Sequence, residues 1–141
     1  MTTASAVATG VAFVWLGMVL AISFLEAPLK FRAPGVDLRI GLGIGRLVFR
    51  ALNTAETVLA TALLVAIAAQ GTPSAVAVAA VVAVAALTVQ VGAVRPRLTR
   101  RSDRVLAGED APRSRSHHAY VALETAKVAA LFTAGVLLLA T

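Results

Sequence analysis

Apolar residues fall into four blocks along the chain, at roughly 7–29, 47–69, 74–94 and 117–140. A helix rises about 1.5 Å per residue, so a block of about 20 residues crosses a hydrocarbon core of about 30 Å. The third block alternates Ala and Val as a strand would, but its length favours a helix, because a lone strand would leave its backbone unpaired in lipid. The pattern predicts a single-domain, all-α membrane protein, an antiparallel bundle of four transmembrane helices over residues 1–141.

The composition supports a membrane location. Hydrophobic residues make up 59% of the chain and charged residues only 14%, and a soluble protein of this size could not bury so much apolar surface. The first ten residues contain no Lys or Arg, whereas a secretory signal has a basic start, so we expect the first block to remain as a span. The chain has no Cys, which excludes disulfides and thiolate metal ligands.

The basic residues predict the orientation. Of 13 Lys and Arg residues, five lie in 30–50 and seven in 95–115, while the connection 70–74 has none. The positive-inside rule therefore predicts two cytoplasmic basic loops, with both termini outside. We expect the membrane to be a bacterial inner membrane. The residues expected at the interface with lipid headgroups are Lys30, Arg32, Arg46, Arg50, Arg95, Arg97, Arg101 and Arg104. This location explains the net charge of +6, so we expect membrane lipid as a partner and no nucleic acid.

Helix-breaking residues predict where the spans end. We expect Pro28 to end or kink the first helix and Pro96 to stop the third. Residues 99–115 would then form the longest loop, and Ser116 would be the N-cap of the fourth helix. The three glycines of residues 41–45 lack the Gly-Lys-Ser/Thr sequence of a phosphate loop, so they favour a close helix contact or a re-entrant turn instead.

Polar residues inside the apolar blocks are the candidate functional residues. A charge at the middle of a bilayer costs at least about 2.5–3.5 kcal/mol, so such a residue needs partners. Glu56 lies about 15 Å along the second helix from Arg46, and Lys127 lies at a similar depth in the fourth. The residues predicted to meet in the cytoplasmic half of the bundle are Glu26, Asn53, Glu56, His117, Tyr120, Glu124 and Lys127.

The spacing of these residues predicts ion pairs. In the fourth block, the candidate residues are spaced three, four and three positions apart, which places them on one face of a helix. They are His117, Tyr120, Glu124 and Lys127. We therefore expect Lys127 to pair with Glu56 or with Glu124. With Glu26, three carboxyl groups face one lysine, so either the arginines that open the second block reach in or one carboxyl group is protonated. Two interpretations stay open, a polar clasp that fixes helix register and a proton-linked or ligand-binding site that opens to the cytoplasm.

Other chemistries have weaker support in the sequence. A metal site from His117, Glu124 and Glu26 is possible in composition, since His and carboxylates suit zinc or iron, but the Glu-x-x-His repeat of di-iron bundles is missing. The sequence shows no Ser-His-Asp arrangement of a catalytic triad and no motif that indicates a cofactor. Trp15 and Tyr120 are more typical of packing or interface residues than of a quinone or haem stack.

Short motifs at the boundaries of the predicted spans are similar to motifs of known membrane proteins. They are Phe24–Arg32, Gly45–Phe49 with Asn53 and Glu56, Arg95–Leu98, and His117-x-x-Tyr120-x-x-x-Glu124-x-x-Lys127. Over nearly its whole length the chain resembles a group of uncharacterised bacterial four-helix integral membrane proteins. More loosely, it is similar to the eukaryotic transmembrane protein linked to cisplatin resistance. The resemblance implies the four-helix fold rather than an activity, and a chain without Cys or a Met cluster is poorly suited to soft metals.

Three classes of function follow. The first is a small transport or permeation protein, possible as a homodimer because small residues favour helix association, with a proton-sensitive Glu/Lys cluster. The second is a non-catalytic accessory subunit that docks on a larger membrane complex through its Ala- and Val-rich third block. The third and weakest is a membrane enzyme with a His/Glu metal site. The sequence identifies no solute, cofactor or partner protein.

Overall fold

The computed structural model describes residues 1–112 and 115–141, and every regular element within these ranges is helical. The elements form four continuous helices, α1 (Thr3–Arg32), α2 (Leu38–Gln70), α3 (Ser74–Leu106) and α4 (Arg115–Leu139). Each of them is long and apolar enough to cross a membrane. The fold is therefore that of an all-α, multi-pass membrane protein.

Neighbouring helices of the bundle run antiparallel. Thr2 at the start of α1 lies 3.5 Å from Gln70 at the end of α2, and Ser23 late in α1 bonds to Glu124 early in α4. α1 packs extensively against α2 and α4, and α4 packs against α3. One end of the bundle, where α1 and α3 finish and α2 and α4 begin, carries the basic stretches. We call it the basic end, and the opposite end carries both termini.

The core is built from small and branched apolar residues. Its buried members include Ala8, Ala12, Leu63, Ala83 and Leu131, and small side chains let helix backbones approach closely in lipid. Large apolar residues also cover the outer surface, among them Val58, Val65, Val78, Val81 and Phe132. An apolar exterior around a partly polar interior is the arrangement that a bilayer requires.

The helix ends follow local sequence signals. Thr2 caps α1 by accepting from the backbone N–H of Ser5 at 3.1 Å, and Asp37 caps α2 by accepting from Ile40 at 2.9 Å. Gly71 ends α2 in the left-handed conformation, with φ of 62°. The short turn expected between the second and third helices is therefore present.

Neither Pro28 nor Pro96 ends its helix, and the expectation that Pro96 stops the third helix is wrong. A π-helical segment precedes each proline, Leu20–Glu26 in α1 and Gln90–Val94 in α3. Backbone N–H groups there bond five residues back, as Ala27 does to Ile22 and Arg95 to Gln90. The wider turn accommodates the proline ring and its missing N–H, so both helices continue beyond the predicted boundaries.

The basic stretches are consequently more helical than predicted. α2 begins at Leu38, so most of the first stretch is helix, and α3 continues to Leu106, so the loop predicted for residues 99–115 is much shorter. Ser116 lies inside α4 and is not its N-cap. At the basic end, Arg46 pairs with Asp103 at 2.6 Å, which joins the start of α2 to the end of α3.

Candidate functional site

The centre of the bundle holds an ammonium group enclosed by three acceptors. The Nζ atom of Lys127 donates to Glu56 Oε2 and to Gln90 Oε1, the latter at 2.8 Å, and lies 2.6 Å from Glu124 Oε1. The side chains of Lys127 and Glu56 are 0% exposed and that of Glu124 is 2% exposed. A lysine has three N–H donors, so the three acceptors satisfy it completely. Both ion pairs predicted for Lys127 are present.

Glu56 is held by donors from three helices. Trp15 of α1 donates its indole Nε1–H to Oε2 at 2.7 Å, and Asn53, one turn earlier on α2, donates to Oε1 at 3.2 Å. Lys127 of α4 supplies the third donor. The indole of Trp15 is itself 0% exposed, so this carboxyl group is fixed by rigid packing as well as by charge.

Glu124 is held in a similar way. Ser23 of α1 donates its hydroxyl to Oε2, and Gln90 of α3 donates its amide to Oε1 at 3.2 Å. The same Gln90 amide nitrogen lies 3.4 Å from the backbone oxygen of Tyr120. All four helices therefore contribute to one set of bonded side chains, which we call the buried network. Its members are Trp15, Ser23, Asn53, Glu56, Gln90, Glu124 and Lys127.

The two π-helical segments lie at the level of the buried network. Ser23 lies within the segment of α1, and Gln90 is the first residue of the segment in α3. A π turn rotates the following side chains relative to a regular helix and is common at functional sites. The π-helical turns that precede Pro28 and Pro96 therefore also orient Ser23 and Gln90 toward Glu124.

The arginines at the start of α2 do not reach the buried network. Arg46 pairs with Asp103 instead, and both Arg46 and Arg50 are exposed. The network therefore contains two carboxyl groups and one lysine. With all three ionised, its formal charge is −1.

Glu26 and Tyr120 belong to a second group of residues, one helical turn closer to the basic end. Glu26 Oε2 lies 3.6 Å from Lys30 Nζ. The guanidinium carbon of Arg95 lies 4.6 Å from the ring centroid of Tyr120 and 4.9 Å from that of Phe49. The Lys30 Nζ atom also lies over the Phe49 ring, at 5.6 Å, and cations at these distances are attracted by ring faces. We call Lys30, Phe49, Arg95 and Tyr120 the aromatic–cation cluster.

His117 lies closer to the start of α4 than Tyr120, Glu124 and Lys127 do. It lies in the first turn of α4, half-buried, with its ring 5.7 Å from that of His118. Within residues 1–112 and 115–141, no three His, Asp or Glu residues lie close enough to hold a metal ion. The metal site considered from His117, Glu124 and Glu26 is therefore not assembled, because Glu124 bonds within the buried network and Glu26 lies beside Lys30.

The predicted interface residues all lie at the basic end. Most are exposed, namely Arg32, Arg46, Arg50, Arg97 and Arg104, and the partly buried ones are Lys30, Arg95 and Arg101. Arg101 donates to the backbone oxygen of Ala111 at 2.9 Å. Lys30 and Arg95 differ from the others because their charged groups lie against aromatic rings inside the bundle.

Three members of the buried network were not among the predicted site residues. For Trp15 and Gln90 a signal exists, because a buried indole N–H or amide in an apolar span needs a partner. Ser23 carries no such signal, since a serine in a span commonly bonds to its own helix.

Comparison of this chain with protein-family models, curated proteins and solved structures finds no match. The fold and the site define a four-helix membrane protein with an ionisable network at its centre. Its function is therefore inferred from the geometry of that network and of the basic end.

Proposed function

We propose that the protein is a small transport or permeation protein of the bacterial inner membrane whose buried network binds and releases one proton. The observation that supports this most is the meeting of Glu56, Glu124 and Lys127 inside the bundle, with side chains at most 2% exposed. Ionisable residues inside a membrane bundle mark proton relays and solute pathways more often than they serve packing alone.

The charge count supports a proton as the bound ion. A charge at mid-membrane costs at least about 2.5–3.5 kcal/mol on insertion scales, and the network with both carboxyl groups ionised carries one uncompensated negative charge. Arg46 and Arg50 do not compensate it, because both are exposed. The arginine nearest to the network along the bundle, Arg95, contacts the Phe49 and Tyr120 rings and forms no ion pair with Glu56 or Glu124. One proton on either carboxyl group makes the network neutral, and its release restores the charge.

Polar groups connect the network with the basic end. Tyr120 lies four residues before Glu124 on α4, with its backbone oxygen 3.4 Å from the Gln90 amide nitrogen, and its ring contacts Arg95. On the other side of the network the core is almost entirely apolar, with Ala8, Leu131 and Leu138 buried there. This asymmetry favours proton exchange with the basic end.

The orientation and the assembly are part of the same proposal. The positive-inside rule puts the basic end in the cytoplasm and both termini outside. A single four-helix bundle is narrow for a pore, and the small residues favour helix association, so we propose a homodimer surrounded by lipid. The resemblance to bacterial four-helix membrane proteins stays a prediction.

The test is proton flux into proteoliposomes that contain a pH-sensitive dye and carry an imposed potassium diffusion potential. We expect faster proton entry with the wild type than with protein-free liposomes, and entry at the protein-free level with Glu56→Gln and Glu124→Gln. Glu109→Gln is the matched control, since Glu109 is exposed and pairs only with the exposed Arg104 among the described residues. Equal flux in all these variants, or no flux with the wild type, would contradict the proposal.

A second candidate, an accessory subunit of a larger membrane complex, is favoured by one observation. Each charged group of the buried network has its hydrogen-bonding capacity largely filled, which suits a rigid clasp that fixes helix register. In that case the wild type gives no flux, and native mass spectrometry of the protein extracted from its own membrane shows other subunits. Substitution of Glu56 would then change the set of subunits recovered.

A further inference from the structure

The aromatic–cation cluster contains buried donors that the buried network does not use. Among the described residues, four buried side-chain atoms make no hydrogen bond: Nε and Nη2 of Arg95, the hydroxyl oxygen of Tyr120 and Oε2 of Glu26, so that three of the four belong to donor groups. The Asn53 amide donates to Glu56 Oε1 and interacts with the Tyr120 oxygen as a second acceptor, so the Tyr120 O–H itself still lacks an acceptor. Buried donors without acceptors are unfavourable, so these three groups favour a ligand that accepts hydrogen bonds.

The cluster also carries a positive charge. Lys30 and Arg95 both lie over the Phe49 ring, at 5.6 and 4.9 Å, and the side chain of Lys30 is only 10% exposed. Lys30 pairs with the Glu26 carboxylate, which lies 3.6 Å away and is 36% exposed. Two cations and one carboxylate leave a net charge of +1, so the preferred acceptor is an anion.

The donors come from three helices and gather around the Phe49 and Tyr120 rings at the basic end. Lys30 is near the end of α1, Arg95 follows the π-helical segment of α3, and Tyr120 lies in the second turn of α4. A guanidinium presents a planar fork that matches two oxygens of a phosphate, and a hydroxyl and an ammonium can bond to the others. Basic recesses between transmembrane helices at the headgroup level bind anionic lipid headgroups.

We propose that Arg95, Tyr120 and Lys30 form a binding site for a phosphate group, supplied by an anionic phospholipid headgroup or by free phosphate. The site is separate from the proton-binding role proposed for the buried network. It adjoins the network at Tyr120, whose backbone oxygen lies 3.4 Å from the Gln90 amide nitrogen and whose hydroxyl lies beside Asn53. Bound phosphate satisfies the buried donors of Arg95 and Tyr120 and fixes the headgroup against the bundle.

The test is a titration of the purified protein in neutral detergent with phosphatidylglycerol, followed by native mass spectrometry. We expect one phosphatidylglycerol bound per chain with saturable affinity, and no saturable binding of diacylglycerol, which lacks the phosphate. Arg95→Gln and Tyr120→Phe should each weaken binding by about tenfold, the effect of one lost hydrogen bond to a charged group. Arg100→Gln is the control, because it removes the same charge from an exposed position of the same helix.

Three further outcomes distinguish a lipid headgroup from free phosphate, and a specific site from diffuse surface charge. Competition by millimolar inorganic phosphate would identify free phosphate as the ligand, and resistance to it would identify the lipid. Equal weakening by Arg95→Gln and Arg100→Gln would overturn the proposal in favour of diffuse surface charge. If Arg95→Gln does not fold, Arg95→Lys and Tyr120→Phe replace it, because the first keeps the charge without the guanidinium fork and the second keeps the ring without the hydroxyl. Unchanged binding in both variants would overturn the site.

Discussion

Lys127 and Glu56 lie 71 positions apart in the chain and form an ion pair whose two side chains are 0% exposed. The pair joins α4 to α2, which make much less contact with each other than α1 makes with either of them. When one partner of a buried pair is removed, the other charge remains uncompensated, and this costs about 3–5 kcal/mol. The pair is therefore the most sensitive contact of the bundle.

Lys127→Met should be the most destabilising single substitution in the buried network. It leaves the Glu56 and Glu124 carboxyl groups together without a cation, so we expect a loss of about 3–5 kcal/mol. The measurement is the midpoint of thermal unfolding in mild detergent. Glu124→Gln is the matched comparison, because it retains the Glu56–Lys127 pair and leaves the network neutral without a bound proton, and its midpoint should change far less. A larger effect of Glu124→Gln than of Lys127→Met would contradict this charge count.

Trp15 is the only tryptophan of the chain, so its fluorescence reports directly on the buried network. Its indole N–H donates to Glu56 at 2.7 Å, and replacement of that carboxylate by a neutral amide weakens the bond. We expect Glu56→Gln to shift the emission maximum of Trp15. Glu109→Gln, at an exposed residue of the α3–α4 connection, should leave the emission unchanged. An unaltered spectrum in Glu56→Gln would show that the indole does not bond to this carboxyl group.

Gln90→Leu should destabilise the bundle although it makes the span more apolar. The Gln90 side chain donates to Glu124 and accepts from Lys127, and loss of a partner from a buried polar group costs about 1–3 kcal/mol. Thr88→Val is the control, since Thr88 is exposed and, within the part of the chain that the structure describes, its hydroxyl bonds only to the Val84 backbone oxygen. Thermal unfolding in detergent should show a clear decrease for Gln90→Leu and almost none for Thr88→Val.

Gly41 and Gly43 should differ sharply when replaced by alanine. A Cβ atom on Gly41 would lie 2.1 Å from the ring of Phe31, whereas one on Gly43 would have no atom within 4 Å. Gly41→Ala must displace Phe31 from its position beside the start of α2 and should lower stability. Gly43→Ala should raise it by up to about 1 kcal/mol, because alanine is the better helix former. Equal unfolding midpoints in the two variants would contradict the close contact at Gly41.

Much of the fold was predictable from the distribution of apolar residues. Uninterrupted apolar runs in a chain with 14% charged residues have few alternatives to spanning helices, and the structure has four such helices. The helix ends were less predictable. Pro28 and Pro96 are normally breakers, but a π turn before each one lets the helix continue, and no local sequence pattern specifies a π turn.

The candidate site was predictable in part for the same physical reason. Charges in apolar spans need partners, and this requirement identified Glu56, Glu124 and Lys127 as a group. It did not reveal that Tyr120 contacts Arg95, because these residues lie on different helices, α4 and α3. Glu26 pairs with Lys30 four residues later on its own helix instead of joining the group. The rotation of each helix determines which of its polar residues meet, and that rotation depends on packing across the whole bundle.

The most direct test of the central claim, that the buried network carries one proton, is infrared spectroscopy of the carboxyl groups in the membrane-reconstituted protein at neutral pH. We expect the wild type to show the carbonyl band of one protonated carboxyl group. The band should be absent from both Glu56→Gln and Glu124→Gln, because in each variant the remaining carboxylate is balanced by Lys127. It should persist in Glu26→Gln, since Glu26 lies outside the network. A wild-type spectrum that contains only ionised carboxylates would contradict the claim.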